Sequence, residues 1–452
     1  MTAAALTILA VTLLFAQLGK SALHFDEAIY AEVSKETVEL NDWLTPHWNG
    51  RVWFQKSPAY FWATALLFKA FGVSEFWARF GSALSGVGVL LLSCLIAKRI
   101  YSPLAGILAV AILLSSQLFV YYARFGSTDT MLTFFILLAV YGYLRAEENE
   151  YFWVLAGVGC GMALMVKGPA GLVAPAVLGV AAIVDRRFAS VLRSRWMWMG
   201  VAIAVAIIAP WHLLMYQKHG DSFVNAYITA HVINRAKSNL NEFQHGYGYY
   251  FTVLKDFFSP WVYILPFALI FSWRARSLVM LVLGLLVFVL YTFAQTKFQW
   301  YILPAIPAFA VITAGLVTQL SDRRTQLQLA IGTLGLILLW AVGSFRVVRL
   351  IKTVQPEIES AARLARTAAD EPGGIVGYPE YLEMTVKFYS GRKLCTDPVI
   401  SKLSHNEITE CEPTEPIHVI LRTADRSTVE SRFTINPVRE DGPITYASIV
   451  RR

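Results

Sequence analysis

At 452 residues with 56% hydrophobic and 15% charged positions, the chain carries more apolar surface than one soluble core can use. That excludes a simple soluble domain and points to a polytopic membrane protein. The formal net charge of +8 is spread over loops between apolar runs, so no nucleic-acid partner is expected. Four cysteines are too few for a disulfide scaffold: Cys94 and Cys160 lie inside apolar runs, and only Cys395 and Cys411 are candidates to pair.

Residues 2–19 form an uncharged run without the basic start of a secretory signal and are read as a retained first membrane helix. The loop over residues 20–78 follows, and His24-Phe25-Asp26-Glu27 sets two adjacent carboxylates at its start. Asp26 and Glu27 open an amphipathic stretch with Ile29, Tyr30, Val33, Thr37 and Leu40 on one side and Glu32, Lys35, Glu36 and Glu39 on the other. That pattern predicts a helix lying along the membrane surface. Asp26 reads in two ways here: as a helix N-cap with Glu27 favoured by the helix dipole, or as a functional acid. Residues 59–72 hold only about 14 mostly apolar positions, short of the roughly 20 that a span needs, and are assigned to a second surface helix.

Apolar segments then recur near 79–97, 102–121, 129–144, 151–166, 169–184 and 197–216, and after a polar loop at 217–258 near 259–272, 278–294, 300–319 and 326–344. With residues 2–19 this makes about eleven spans. Lys98, Arg99, Arg145, Arg186, Arg187, Arg193, Arg195, Arg274, Arg276, Arg323 and Arg324 fall in linkers on one side, against Arg124, Lys167 and Lys297 in the short linkers opposite. The positive-inside rule places the acid-pair loop, the 217–258 loop and the C-terminal residues outside the cytoplasm. Residues 1–344 are therefore expected to form the membrane domain. Residues 345–452, with the strand-like run Ile417 to Leu421 and the helix-like run Glu357 to Ala368, read as a small soluble α/β domain on the outer face.

The three cations on the sparse side oppose the topological bias. With Lys56 and Arg79 they face the same compartment as Asp26, Glu27 and Asp129. Cations to hold a phosphate and carboxylates to handle a proton, near headgroups and among aromatics, suit a phosphorylated lipid substrate. Each residue taken singly also fits a snorkelling or paired charge.

The motifs Asp26-Glu27 with Tyr30-Ala31-Glu32, Asn41-Asp42-Trp43-Leu44-Thr45-Pro46, Asn49-Gly50, Lys56-Ser57-Pro58, Phe71-Gly72-Val73-Ser74-Glu75 and Arg79 occur in that order. They continue through Arg124 to Asp129, Lys167-Gly168-Pro169, Pro210-Trp211, His231 to Arg235, Pro260-Trp261 and Lys297 to Pro304, with Lys387-Phe388-Tyr389-Ser390-Gly391-Arg392 in the tail. This order resembles the membrane-embedded GT-C glycosyltransferases of the protein O-mannosyltransferase and lipid A aminoarabinose transferase type. The resemblance implies an α-helical GT-C fold with periplasmic surface helices, in a multi-pass protein of the bacterial inner membrane. It implies transfer of a sugar from a polyprenyl-phosphate donor to an envelope acceptor on the periplasmic side, with inversion. Asp26 would stand at the reaction centre, supported by Glu27 and Asp129. Lys56 would bind the donor phosphate together with Arg79, Arg124, Lys167 and Lys297, and Tyr30, His231 and Tyr301 would line the substrate cavity. Two departures bear on metal: Gln55 stands where aminoarabinose transferases usually carry Glu, and Ala230 precedes His231 where an acid is common. Neutral Gln is a weak ligand, so no cofactor is expected to be required. The absence of a Gly-rich phosphate loop agrees with a donor that is not a nucleoside triphosphate. The alternative is a transporter or flippase for a lipid-linked sugar, its charges lining a path.

Overall fold

The computed structural model describes residues 3–227, 245–274, 278–320, 356–371, 373–378, 382–392, 417–430 and 433–451. In chain order the helices are α1 (Ala3–Phe15), α2 (Asp26–Glu39), α3 (Ala59–Phe71), α4 (Glu75–Ile100), α5 (Pro103–Ser115), α6 (Gln117–Ala123), α7 (Thr128–Arg145), α8 (Phe152–Lys167) and α9 (Val173–Val184). They continue as α10 (Phe188–Arg193), α11 (Arg195–Val224), α12 (Tyr249–Phe257), α13 (Leu265–Arg274), α14 (Leu278–Phe293), α15 (Ala305–Leu320), α16 (Pro356–Thr367), α17 (Glu383–Ser390) and α18 (Arg426–Glu430). The strands are β1 (His47–Trp48), β2 (Arg51–Val52), β3 (Gly374–Tyr378), β4 (Ile417–Arg422), β5 (Phe433–Asp441) and β6 (Ile444–Arg451). The chain divides into two compact units, Met1–Ala16 with Phe54–Tyr60 and Phe80–Val342, and Gln17–Trp53 with Phe61–Arg79 and Gly343–Arg452.

The first unit holds most of the apolar helices. By length and composition, Glu75–Ile100, Phe152–Val184 and Arg195–Tyr227 are long and apolar enough to cross a membrane, and the bent pair α5 and α6 makes a fourth among the described residues. Local chemistry sets where these runs break. Ser102 caps α5, accepting from the Ala105 N–H at 3.1 Å, and Pro103 occupies the first turn, where its missing N–H costs nothing. Ser116 ends α5 in an extended conformation and caps α6, so the expected 102–121 span is bent by 77°. Lys167 ends α8, and Gly168 takes φ +56°, a left-handed value that glycine adopts without a Cβ penalty. Just beyond it Gly171 lies against α8, where a Cβ would come within 2.4 Å of the Ala163 carbonyl carbon. The expected 217–258 loop is helical at both ends, because the helix carrying α11 reaches Tyr227 and α12 begins at Tyr249. The expected span at 326–344 lies outside the described residues.

The second unit joins the first loop to the C-terminal residues, where the sequence reading kept them in separate domains. Its four-stranded sheet has the order β3-β4-β6-β5, with β3 parallel to β4 and the other pairs antiparallel. Val376, Ile417, Val419, Leu421, Phe433, Ala447 and Ile449 form the core, and α16 and α17 pack on this framework. Helix α2 packs against α17, and the side of α2 that carries Glu32 and Glu36 meets that helix. Glu32 and Glu36 are buried because Lys387 of α17 meets them at 2.8 and 3.5 Å. Glu36 also accepts from the Gly50 N–H at 3.0 Å.

The tightest helix crossing joins α8 to α11 at Gly157 and Gly200, where a Cβ on Gly157 would lie 2.1 Å from the Gly200 carbonyl oxygen. The clash is with backbone, so only helix separation relieves it. Gly157→Ala is expected to lower the apparent melting temperature of the detergent-solubilised protein, a loss of about 1–3 kcal/mol. Gly179→Ala, where a Cβ meets nothing within 4 Å, should leave it unchanged or slightly raised. Equal melting temperatures for the two variants would count against this crossing.

Candidate active site

Two groups of polar residues stand out, one in each unit. In the second unit the chain approaches α2 through Phe25, the helix N-cap, which has φ +47° and ψ −135° and no side-chain cap bond. A non-glycine residue held in this region stores backbone strain of the kind that collects at functional sites. Asp26 is therefore the first helical residue and not the N-cap. It is half-buried, at the positive end of the helix dipole, and Tyr30 one turn on donates its hydroxyl to Asp26 Oδ2 at 3.3 Å. Tyr30 is itself fixed by edge contacts to Trp53 and Phe61 at 6.2 and 5.6 Å between ring centres.

Glu27 has a different task from its neighbour. Its carboxylate is buried and meets Arg79 in a bidentate pair, with Nε to Oε2 at 2.9 Å and Nη2 to Oε1 at 2.5 Å, while His24 Nδ1 lies 3.1 Å from Oε1. Arg79 gives its remaining N–H groups to the carbonyls of Leu18, Ser21 and Ala22 at 2.9, 2.8 and 3.1 Å. A guanidinium has five donors, and these contacts use all of them. The assignments of Arg79 to the donor phosphate and of Glu27 to catalysis are thus replaced by a structural pair. Burial alone would raise the Glu27 pKa, but Arg79 and His24 outweigh it and hold the carboxyl at about 2.

In the first unit, Asp129 lies in the first turn of α7 behind its cap Ser127, and Lys167 lies at the C-terminal end of α8 where the dipole favours a cation. The two side chains form a close ion pair, largely buried on both sides. Lys167 Nζ also stands 5.5 Å from the centre of the Tyr301 ring, which packs on Tyr291 at 5.0 Å. Lys297 is buried, donates to the Ala294 carbonyl at 2.6 Å and faces the Tyr247 ring at 5.6 Å. Arg124 caps the end of α1 through the carbonyls of Leu13 and Ala16, so part of its guanidinium serves structure. Lys56 is half-buried, and its neighbour Ser57 donates to the Leu164 carbonyl at 2.7 Å. Ser57 also lies 3.0 Å from the Tyr227 hydroxyl, which lies 3.2 Å from His212 Nε2. No periodicity or motif singles out His212 or Tyr227. His231, Cys395 and Cys411 lie outside the described residues, as do Arg276, Arg323 and Arg324. Among the described residues no group of three or more His, Cys, Asp or Glu side chains gathers to hold a metal ion.

The family profile of dolichyl-phosphate-mannose-protein mannosyltransferases matches residues 55–214. An uncharacterised protein of Aquifex aeolicus is 30% identical over 339 residues, covering 73% of this chain and 65% of its own length. The undecaprenyl phosphate-alpha-4-amino-4-deoxy-L-arabinose arabinosyl transferase of Edwardsiella ictaluri is 29% identical over 314 residues, 66% of this chain and 55% of that protein. The chain thus spans between 55% and 65% of the length of these two relatives. In three dimensions it is similar to ArnT from Cupriavidus metallidurans, crystallised with undecaprenyl phosphate, with a TM-score of 0.81 and 20% identity over 98% of this chain and 97% of that one.

The depressed pKa of Glu27 makes a statement about stability. Its folded pKa lies below the ordinary 4.5, so the pair's contribution is complete above pH 4.5 and is lost as pH falls toward about 2. A shift of this size corresponds to about 3 kcal/mol. Melting curves of detergent-solubilised wild type and Glu27→Gln should differ by a constant gap from pH 7 to about 5. The gap should close steadily below that. A gap that stays constant down to pH 3 would refute the pair as the source.

Proposed function

We propose that this chain, which has the fold of the GT-C membrane glycosyltransferases, moves a sugar from a polyprenyl-phosphate donor to a hydroxyl-bearing envelope acceptor, with inversion at the anomeric carbon. The observation that carries the reading is the division within the acid pair. Glu27 is neutralised and buried, whereas Asp26 stays half-exposed at a helix start, behind a strained residue and oriented by Tyr30. The family profile, the aminoarabinosyl transferase relatives and the undecaprenyl phosphate in the ArnT crystal support a lipid-phosphate donor.

In this reading Asp26 takes the proton of the acceptor hydroxyl as its oxygen attacks the anomeric carbon. The bond from that carbon to the phosphate oxygen breaks, and polyprenyl phosphate leaves with the electron pair. Lys56 and Lys297 offset the charge gained by the phosphate, and the Asp129–Lys167 pair keeps Lys167 in place beside Tyr301. No cofactor enters this chemistry. The acceptor class is an envelope lipid, glycan or protein, and lipid A itself is not assigned.

Asp26→Asn keeps the shape and removes the base, so transfer of label from radiolabelled undecaprenyl-phosphate aminoarabinose or polyprenyl-phosphate hexoses into envelope membranes should fall by about 10²-fold or more. Binding of undecaprenyl phosphate should stay within about two-fold of wild type in the same variant. Lys56→Ala removes a charge-assisted contact and should weaken that binding by about ten-fold or more. A carrier of lipid-linked sugar would instead show no transfer with any donor, and an Asp26→Asn protein transferring at the wild-type rate would remove Asp26 from the mechanism.

We further propose about eleven spans, with the acid-pair loop and the C-terminal residues on the periplasmic side of the inner membrane, as the charge bias of the linkers indicates. Single cysteines at positions 24 and 98 in a cysteine-free background should label from opposite faces of intact cells and inverted vesicles. Labelling of both from one face would overturn the orientation.

A further inference from the structure

The segment that leads into Asp26 is held by side chains from far along the chain. Ala22 donates its N–H to Glu359 Oε1 of α16 at 2.9 Å, and its carbonyl accepts from Arg79. Leu23 donates its N–H to the Tyr389 hydroxyl at 2.8 Å, and its carbonyl accepts from Thr385 Oγ1 at 3.0 Å. Both partners of Leu23 lie on α17, and Leu23 and Thr385 are fully buried. The Tyr389 hydroxyl donates its O–H to Glu75 Oε1 at 3.0 Å, and Arg366 donates to the same oxygen at 2.6 Å and lies over the Tyr389 ring. The phenol is thereby oriented as an acceptor toward Leu23. Midway between Thr385 and Tyr389 in sequence, Lys387 meets Glu32 and Glu36 on α2 itself. Helix α17 therefore fixes the backbone three residues before Asp26 and also the body of the helix that Asp26 begins.

We infer that α17 is the positioning element for Asp26, with Thr385 and Tyr389 as positioning residues that act through the backbone of Leu23. The inference rests on the role given to Asp26 above. Two hydrogen bonds to the main chain of one buried residue, on its N–H and its carbonyl, set the height and direction at which the chain reaches Phe25, whose strained conformation leaves little freedom before the helix. Proton abstraction depends on placement within a fraction of an ångström, so loosening this grip should cost rate while leaving the donor-phosphate residues untouched.

The test uses the full-length protein in nanodiscs. Thr385→Val is nearly isosteric and removes only the donor to Leu23, Tyr389→Phe removes the acceptor, and Thr385→Ser restores a hydroxyl. In Thr385→Val with Tyr389→Phe, hydrogen exchange of the peptide covering residues 18–28 should speed up. The kcat for sugar transfer should fall by about 10–100-fold, with undecaprenyl phosphate binding unchanged. Thr385→Ser should recover most of the rate. In an Asp26→Asn background the same pair should cause no further loss, because both act through one group. A purely structural role predicts additive losses in that background. Wild-type kcat in the Thr385→Val, Tyr389→Phe protein, or additive losses with Asp26→Asn, would overturn the positioning role and leave the transferase reading intact. Wild-type transfer by Asp26→Asn alone would overturn that reading and the positioning role with it.

Discussion

The buried pair of Glu27 and Arg79 is the constraint on which the architecture of the first loop depends. Taking a carboxylate and a guanidinium out of water costs several kcal/mol per ion, and their attraction offsets this only when every remaining donor and acceptor is engaged. Arg79 meets that condition with two bonds to Glu27 and three to the carbonyls of Leu18, Ser21 and Ala22. One side chain thus gathers the start of α4, the lead-in to α2 and the second residue of α2. The pair also explains why two adjacent carboxylates have different fates. Successive helical positions lie about 100° apart, so when Glu27 faces inward Asp26 faces the boundary.

The second constraint is the ionic seam between α2 and α17. Glu32, Glu36 and Lys387 are buried together, with Lys35 3.4 Å from Glu32. Burial works against the Lys387 ammonium, but the two carboxylates outweigh it and raise its pKa, so the lysine remains charged at any physiological pH. A seam of this kind contributes little net stability against an apolar interface, but it rejects misregistered packing, because a one-turn slip would leave charges unpaired in the interior. The loop and the C-terminal residues are consequently one unit, although more than 300 residues of sequence lie between them.

The sequence made some of this legible and left the rest hidden, for physical reasons. Apolar runs announce themselves, so segments such as 278–294 and 151–166 correspond closely to Leu278–Phe293 and Phe152–Lys167. Glycine and lysine at 167–168 mark a helix end by local chemistry alone. Asp26 is marked as a candidate by its place just after the first apolar run. What stayed hidden depends on distant partners. The face of α2 carrying Glu32 and Glu36 looks solvated until Lys387 is brought to it, and Arg79 looks available for phosphate until Glu27 and three carbonyls are found around it. The line from Ser57 through Tyr227 to His212 joins positions 170 and 15 apart with no repeating pattern. Polar residues of this kind carry no periodic signal, because each needs a single partner and any loop length can supply it.

The cations of the first unit can be weighed by charge. Lys167 is already matched by Asp129, so this pair presents little net charge to a ligand, and its value lies in fixing the end of α8 beside Tyr301. A polyprenyl-phosphate sugar is a phosphodiester with one negative charge, and the departing polyprenyl phosphate gains a second as the glycosidic bond breaks. Catalysis needs cations that interact more strongly with the leaving phosphate than with the bound donor. Lys297 is buried, with its Nζ on a carbonyl and an aromatic face, neither of which cancels its charge. In the proposed reading, a buried lysine with no carboxylate against it among the described residues suits charge that appears only as the bond breaks. A half-exposed Lys56 suits recognition of the donor before the reaction begins. In the proposed reading the two lysines divide the task by burial, Lys56 binding the diester and Lys297 stabilising the monoester that leaves.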